Sequence, residues 1–271
     1  MSGEGVSRTL SELAQTGRRP LQRPATKGLG DVGSADARDE LINILFTEER
    51  HTVFVAAESL ATIGDEESLE ALTDGLKRGR QLTHAILRAM DNAPPNEALL
   101  RAVSDVLIQN KNELCLEAAK VLATHLGAEA VPDILLALEK ARNHHKEYLC
   151  DVLASIDGDA SKKALLAIVH KDDEFLRSEA LNALVNHDRL HPSVARDLAI
   201  EQLSKAKGIE PSKQLLRILA ALDDPEADDH LMELLKTSRN FDVRSIISAI
   251  STRGSAHLLN DVIDQIRMMP K

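Results

Sequence analysis

An aliphatic residue or methionine returns to one equivalent place along almost the whole chain. The series is Leu29, Leu60, Met90, Leu122, Leu153, Leu184, Leu219 and Ile250, with steps of 31, 30, 32, 31, 31, 35 and 31 residues. A fixed period of this length marks stacked supersecondary units, each too small to bury its apolar face alone. The period therefore predicts a chain whose core is shared between neighbouring copies along one axis.

One copy shows how a unit is built. Val53, Ala56, Ala57, Leu60 and Ile63 recur at helical spacing and give a first helix with one apolar stripe. Gly64-Asp65 ends it: glycine permits a left-handed C-cap and aspartate can cap the next helix. Leu69, Leu72 and Leu76 then mark that second helix. The same grammar returns in Leu29, Val32-Gly33 and Leu41; in Leu122, Leu126-Gly127 and Leu135; and in Ile250, Gly254 and Val262. The third copy has Pro94-Pro95 for its turn, and the sixth has a longer connection around Arg189 to Pro192 and a less regular second helix. Stacking is expected to be least regular at these two copies.

The run Ala56-Ala57-Glu58-Ser59-Leu60-Ala61-Thr62-Ile63-Gly64-Asp65, with Leu69 and Leu72 downstream, resembles a HEAT-like repeat of the phycobilisome-lyase type. The resemblance extends from about Pro20 to the C-terminus. It implies an all-α fold, an α-solenoid of about eight stacked helical hairpins in a HEAT-like superhelix, with the second helices lining the concave face. Residues 1–19 are expected to form a partly ordered N-terminal cap and residues 20–271 the solenoid. Thr9 with Glu12 is a possible capping box for a short helix in that cap, and Pro20 suits the first turn of the next.

Composition narrows the function classes. Hydrophobic residues make up 43% of the chain, yet aromatics are 2% and tryptophan is absent, so the core is aliphatic. The formal net charge is -10. Such a surface repels phosphate backbones, and few rings are available to stack on bases, so nucleic acid is not expected as a partner. The first thirty residues run the other way, with Arg8, Arg18, Arg19, Arg23 and Lys27 against Glu4 and Glu12. This basic head could touch an acidic partner or serve as a solvated cap. Cys115 and Cys150 lack metal-site spacing, and Cys150 falls on a core face as a buried thiol. No apolar stretch is expected to span a membrane and no signal peptide is read, so the expected compartment is the cytoplasm.

Rotating each second helix at 100° per residue picks out the side chains that face away from the core. Carboxylates occupy the earlier turns: Asp39, Glu70, Asp74, Asp133, Asp229, Glu233 and Asp264, with Leu136 beside them. Cations come later, at Lys77, Lys140, Lys236 and Arg267. Acids near N-termini and bases near C-termini complement the helix dipole, and Asp74–Lys77, Glu233–Lys236 and Asp264–Arg267 are spaced for i,i+3 pairs. The alternative expectation is that the same lane has an additional role, as an acidic groove that receives a basic helix or tail of another protein.

Other constellations read as structure. Asp223-Asp224-Pro225-Glu226 and Asp172-Asp173-Glu174 are helix starts. His187 and His191 have ligand spacing, but Pro192 opposes a continuous helix, so His187 is expected to be half-buried and satisfied. His144-His145 is expected as a solvated cluster in a connection. Gly28-Leu29-Gly30-Asp31-Val32-Gly33 satisfies a GxGxxG string with no strand before it. HEAT-like deoxyhypusine hydroxylases bind iron through His-Glu motifs, and no His-Glu dipeptide occurs here. No cofactor or metal is expected. The sequence thus suggests a non-catalytic, cytoplasmic protein-binding scaffold, adaptor or assembly factor. The runner-up, implied by the resemblance, is a bilin lyase or isomerase-like enzyme subunit.

Overall fold

The computed structural model describes residues 3–46, 50–90, 94, 96–109, 113–237, 243–254 and 262–263. Within them are sixteen α-helices and no strand. The first helices of the repeats are α2 (Arg19–Val32), α4 (Arg50–Ile63), α6 (Arg80–Ala89), α8 (Leu114–Leu126), α10 (Asn143–Ser155), α12 (Glu174–Asn186), α14 (Ile209–Ala221) and α16 (Val243–Arg253). The second helices are α3 (Ala35–Phe46), α5 (Glu66–Gly75), α7 (Glu97–Gln109), α9 (Val131–Lys140), α11 (Asp159–Val169), α13 (Pro192–Lys205) and α15 (Glu226–Thr237). Helix α1 (Gly3–Thr16) precedes the first hairpin. The protein is all-α and built of helical hairpins.

The repeating position explains why the hairpins stack. Leu29, Leu60, Met90, Leu122, Leu153, Leu184, Leu219 and Ile250 are all 0% exposed. Seven lie in the closing turns of a first helix, and Met90 is the C-cap of α6. Fully burying such a side chain contributes about 1.5–3 kcal/mol, so the series is a main source of cohesion.

The chain divides into two compact units, residues 1–141 and residues 142–271. In the first, α2, α4, α6 and α8 pack side by side, with α3, α5, α7 and α9 forming a second layer. In the second, α10, α12, α14 and α16 pack in the same manner, and α11, α13 and α15 lean on them. The division lies between the fourth and fifth copies. The sixth copy's second helix is regular: α13 runs for 14 residues, with Pro192 in its first turn.

Hydrogen bonds carried from repeat to repeat fix the register. Asp65 accepts from the Ser68 backbone N–H at 2.9 Å as the N-cap of α5, and Arg38, one repeat earlier, donates to the same carboxylate at 3.0 Å. Asp173 caps α12 at the Leu176 N–H and is gripped by Lys146. Asp224 accepts from the Glu226 N–H at 3.0 Å and from Arg196 at 2.8 Å. At the other ends of the first helices, cations close the preceding repeat's free carbonyls. Arg253 donates to Leu219 and Leu222 at 2.9 and 2.8 Å, and Arg189 donates to Ala154 at 3.0 Å. These are the orphan groups that every helix end must satisfy.

Two turns show the backbone demand. Gly64 has φ 64°, and a Cβ there would meet Pro94 Cγ at 2.8 Å. In the sixth copy the corresponding left-handed residue is Asp188, φ 52°.

Several expectations change at the ends of elements. Thr9 is not a cap: it lies inside α1 and donates to the Gly5 carbonyl at 3.0 Å. Helix α1 packs on α2 and α3, with Ser7 and Ala14 buried. Helices α8 and α9, joined by the 3-10 turn Gly127–Ala130, make a 27-residue helical run, Leu114–Lys140, long and apolar enough by length and composition to cross a membrane. Gly127, φ 53°, breaks that run into helices of 13 and 10 residues. A span needs about 20 in one piece.

Candidate functional site

The outward lane of the second helices carries the candidate site. In the first unit, Asp39 on α3 and Glu70 and Asp74 on α5 are exposed, and Leu136 on α9 is 47% exposed. Packing of α3 on α5, α5 on α7 and α7 on α9 brings these side chains onto one layer. Asp133 is the exception. It is half-buried and accepts from the Ser104 hydroxyl at 2.5 Å, so it serves the α7–α9 contact. Asp229 and Glu233 are exposed on α15 in the second unit. Asp264 lies outside the described residues, as do the Asp264–Arg267 pair and most of the eighth copy's second helix.

The expected ion pairs are re-partnered. Asp74 pairs with Arg78 at 3.0 Å in place of Lys77, and Glu233 approaches His230 at 3.9 Å in place of Lys236. An i,i+4 step stays on one helix face, and these contacts add only a few tenths of a kcal/mol. Asp39 pairs with its neighbour Arg38 at 3.1 Å.

Helix assignment reveals a segregation of charge that the linear pattern hides. In the first unit, α2, α4, α6 and α8 together carry seven lysines and arginines against three carboxylates. The layer of α3, α5, α7 and α9 carries eleven carboxylates against three cations. Twelve of the chain's carboxylates fall within residues 31–74, against two arginines. That local imbalance equals the net charge of the whole chain and was visible in the sequence by windowed counting. In the second unit, α11 presents Lys163 and is followed by the exposed His170 at its C-cap, so the outward lane there is not uniformly acidic.

Two open clefts flank the turn between α5 and α6. One, of about 630 Å³, is lined by Leu45, Phe46, Val53 and Leu82 with Arg78, Arg80 and Gln81. The other, of about 480 Å³, is lined by Leu76, Ala102, Val106 and Leu114 with Lys77, Thr83 and Asp105 among its polar groups. Arg78 lies over the Phe46 ring at 4.1 Å, a cation–π contact. No histidine or cysteine lines either cleft.

The chemically suggestive residues are engaged elsewhere. Cys150 is fully buried and burial, with the Glu179 carboxylate adding, pushes its thiol up to about 12. Cys115 is buried and raised for the same reason. Glu179 is buried on α12, where desolvation and then Glu147 raise it to about 7 against the pull of Arg217. His187 is half-buried and bonded to Asp151 at 2.8 Å, while the His191 ring accepts from the Ser193 N–H. His145 differs from expectation: it is 2% exposed in the first turn of α10, stacked edge-on against His144. Asp224 and Asp173 cap helices as the sequence suggests, and the Gly28–Val32 stretch lies on α2. Among the described residues, no group of three or more His, Cys, Asp or Glu side chains is arranged to hold a metal ion.

A sequence model of HEAT repeats matches residues 7–91. No curated protein matches the sequence. Among solved structures, the chain is similar to the complex of CpcE and CpcF of phycocyanin lyase from Nostoc sp. PCC7120, at 13% identity over 80% of this chain and 94% of that one, with a TM-score of 0.42. It is also similar to human deoxyhypusine hydroxylase in complex with glycerol, at 13% identity over 93% and 96%, with a TM-score of 0.33.

Proposed function

We propose that this HEAT-repeat protein is a non-catalytic adaptor or assembly factor in the cytoplasm, holding a basic segment of another protein against the second-helix layer of its N-terminal unit. The observation that carries the reading is the eleven-to-three excess of carboxylates on that layer. Many exposed charges of one sign steer an opposite partner and select against wrong ones, even where each contact is weak. The elevated thiols of Cys115 and Cys150 suit a structural role for both.

The test is capture from lysate by the full chain, followed by mass spectrometry, with Glu70→Lys/Asp74→Lys beside the parent. The reading expects a basic partner lost in the variant at unchanged melting temperature. Capture that survives the reversal overturns it.

A further inference from the structure

Two helices of the N-terminal unit carry matching ladders of opposite charge. On α2, Arg19, Arg23 and Lys27 succeed one another at i, i+4 and i+8, and all three are exposed. On α5, Glu66, Glu70 and Asp74 recur at the same interval and are also exposed. Four residues of helix rise about 6 Å, so each ladder sets three charges along about 12 Å with the same pitch. None of the three cations forms an ion pair among the described residues, and neither does Glu66 or Glu70; Asp74 shares Arg78 at the exposed surface.

The two ladders belong to different layers of the unit. Helix α2 packs with α1, α3 and α4, whereas α5 packs with α3, α4, α6 and α7. Within one chain the rungs form no pairs with each other. A second copy presents the complement with the right sign, spacing and number of charges.

We propose that α2 of one copy docks along α5 of a second copy, with Arg19, Arg23 and Lys27 facing Glu66, Glu70 and Asp74. This rests on the reading of the acidic layer as a receptor for a basic segment, and names one such segment. The contact joins different surfaces of the two partners, so it is heterologous. A second copy leaves one free ladder of each sign, so further copies can add until the rotation between them closes a ring. The pairs are solvent-exposed, so the association is weak and sensitive to salt.

Sedimentation velocity of the full chain over a concentration series tests it. The weight-average sedimentation coefficient is expected to rise with concentration at about 20 mM salt and to stay at the monomer value at about 300 mM. Glu66→Lys/Glu70→Lys and Arg19→Glu/Arg23→Glu each make both ladders alike, so each variant alone is expected to remain monomeric at low salt. Mixed in equal amounts, the two variants are expected to associate again. A parent that is monomeric throughout, variants that associate as the parent does, or a mixture that stays monomeric overturns the inference. Should the parent stay monomeric while Glu70→Lys/Asp74→Lys still loses a captured basic protein, the second copy is ruled out as occupant and the receptor reading stands.

Discussion

Arg196 on α13 lies 2.8 Å from Asp224, which caps the first N–H of α15, and the two side chains are only 11% and 10% exposed. The same relation joins Arg38 to Asp65 at 3.0 Å, in a wetter setting of 16% and 38%. In both, a cation from one repeat grips the carboxylate that caps the next repeat's second helix. The device ties local helix initiation to the stacking of neighbours, so a unit that slides along its partner takes the cation off its cap carboxylate.

Burial decides what these pairs are worth. Arg196→Met leaves the nearly buried Asp224 without its cation and is expected to lower stability by the larger amount. Arg38→Met leaves a half-exposed carboxylate that water reaches, and the expected loss is smaller. Urea denaturation of the two variants measures the difference; equal losses would show that desolvation does not govern the ladder.

Glu179 makes the second unit sensitive to pH. Its folded value of about 7 lies above the usual 4.5, so the folded state holds the proton more tightly than the unfolded chain. The stability it contributes is complete below 4.5 and is lost as pH rises through 7. Glu179→Gln keeps the neutral form at every pH. The variant is expected to exceed the parent by about 2 kcal/mol near pH 8 and to match it near pH 4.5. A difference that does not vary with pH would assign the effect to packing.

Asp65 and Asp173 work in the opposite direction. Burial pushes both carboxyls up, but hydrogen bonds from Ser68 and Arg38 on Asp65, and from Lys146 and the Leu176 N–H on Asp173, outweigh it and hold them below the usual 3.8. Their stabilisation is present above 3.8 and is lost as pH falls through the depressed folded values. Asp65→Asn and Asp173→Asn are therefore expected to flatten the acid limb of the pH–stability curve. An unchanged acid limb in both variants would place its origin in other carboxylates.

Asp188 occupies a left-handed turn where most other copies have glycine. Left-handed backbone costs a residue with a Cβ about 1 kcal/mol. Asp188→Gly is expected to raise the melting temperature, and Gly64→Ala, which adds the contact with Pro94 to the same strain, to lower it. Calorimetry on the pair reads both signs.

Native Cys115 and Cys150 are expected to resist a thiol reagent until the chain unfolds, because burial disfavours their thiolates. Ellman's reagent with and without denaturant counts them. Fast reaction of Cys150 in the native protein would mean that α10 opens locally.

The repeat was legible because burial imposes a period on the sequence. A residue that must be dry in every copy, as Leu60 and Leu153 are, cannot drift, and the glycine or aspartate that turns the chain must come at a fixed distance after it. That pattern suffices for the all-α fold, for the helix starts at Asp65, Asp173 and Asp224, and for the outward direction of Asp39, Glu70 and Asp74. Charge partners were not legible in the same way. Arg78 displaced Lys77 as the partner of Asp74, and Ser104 drew Asp133 into a helix contact, because long or polar side chains choose among several nearby groups that only packing brings within reach. The opposed charge of the two layers, the burial of His145 and the divide near Ala141 also required the tertiary arrangement. Each depends on which helices lie beside which, and a one-dimensional period does not record that.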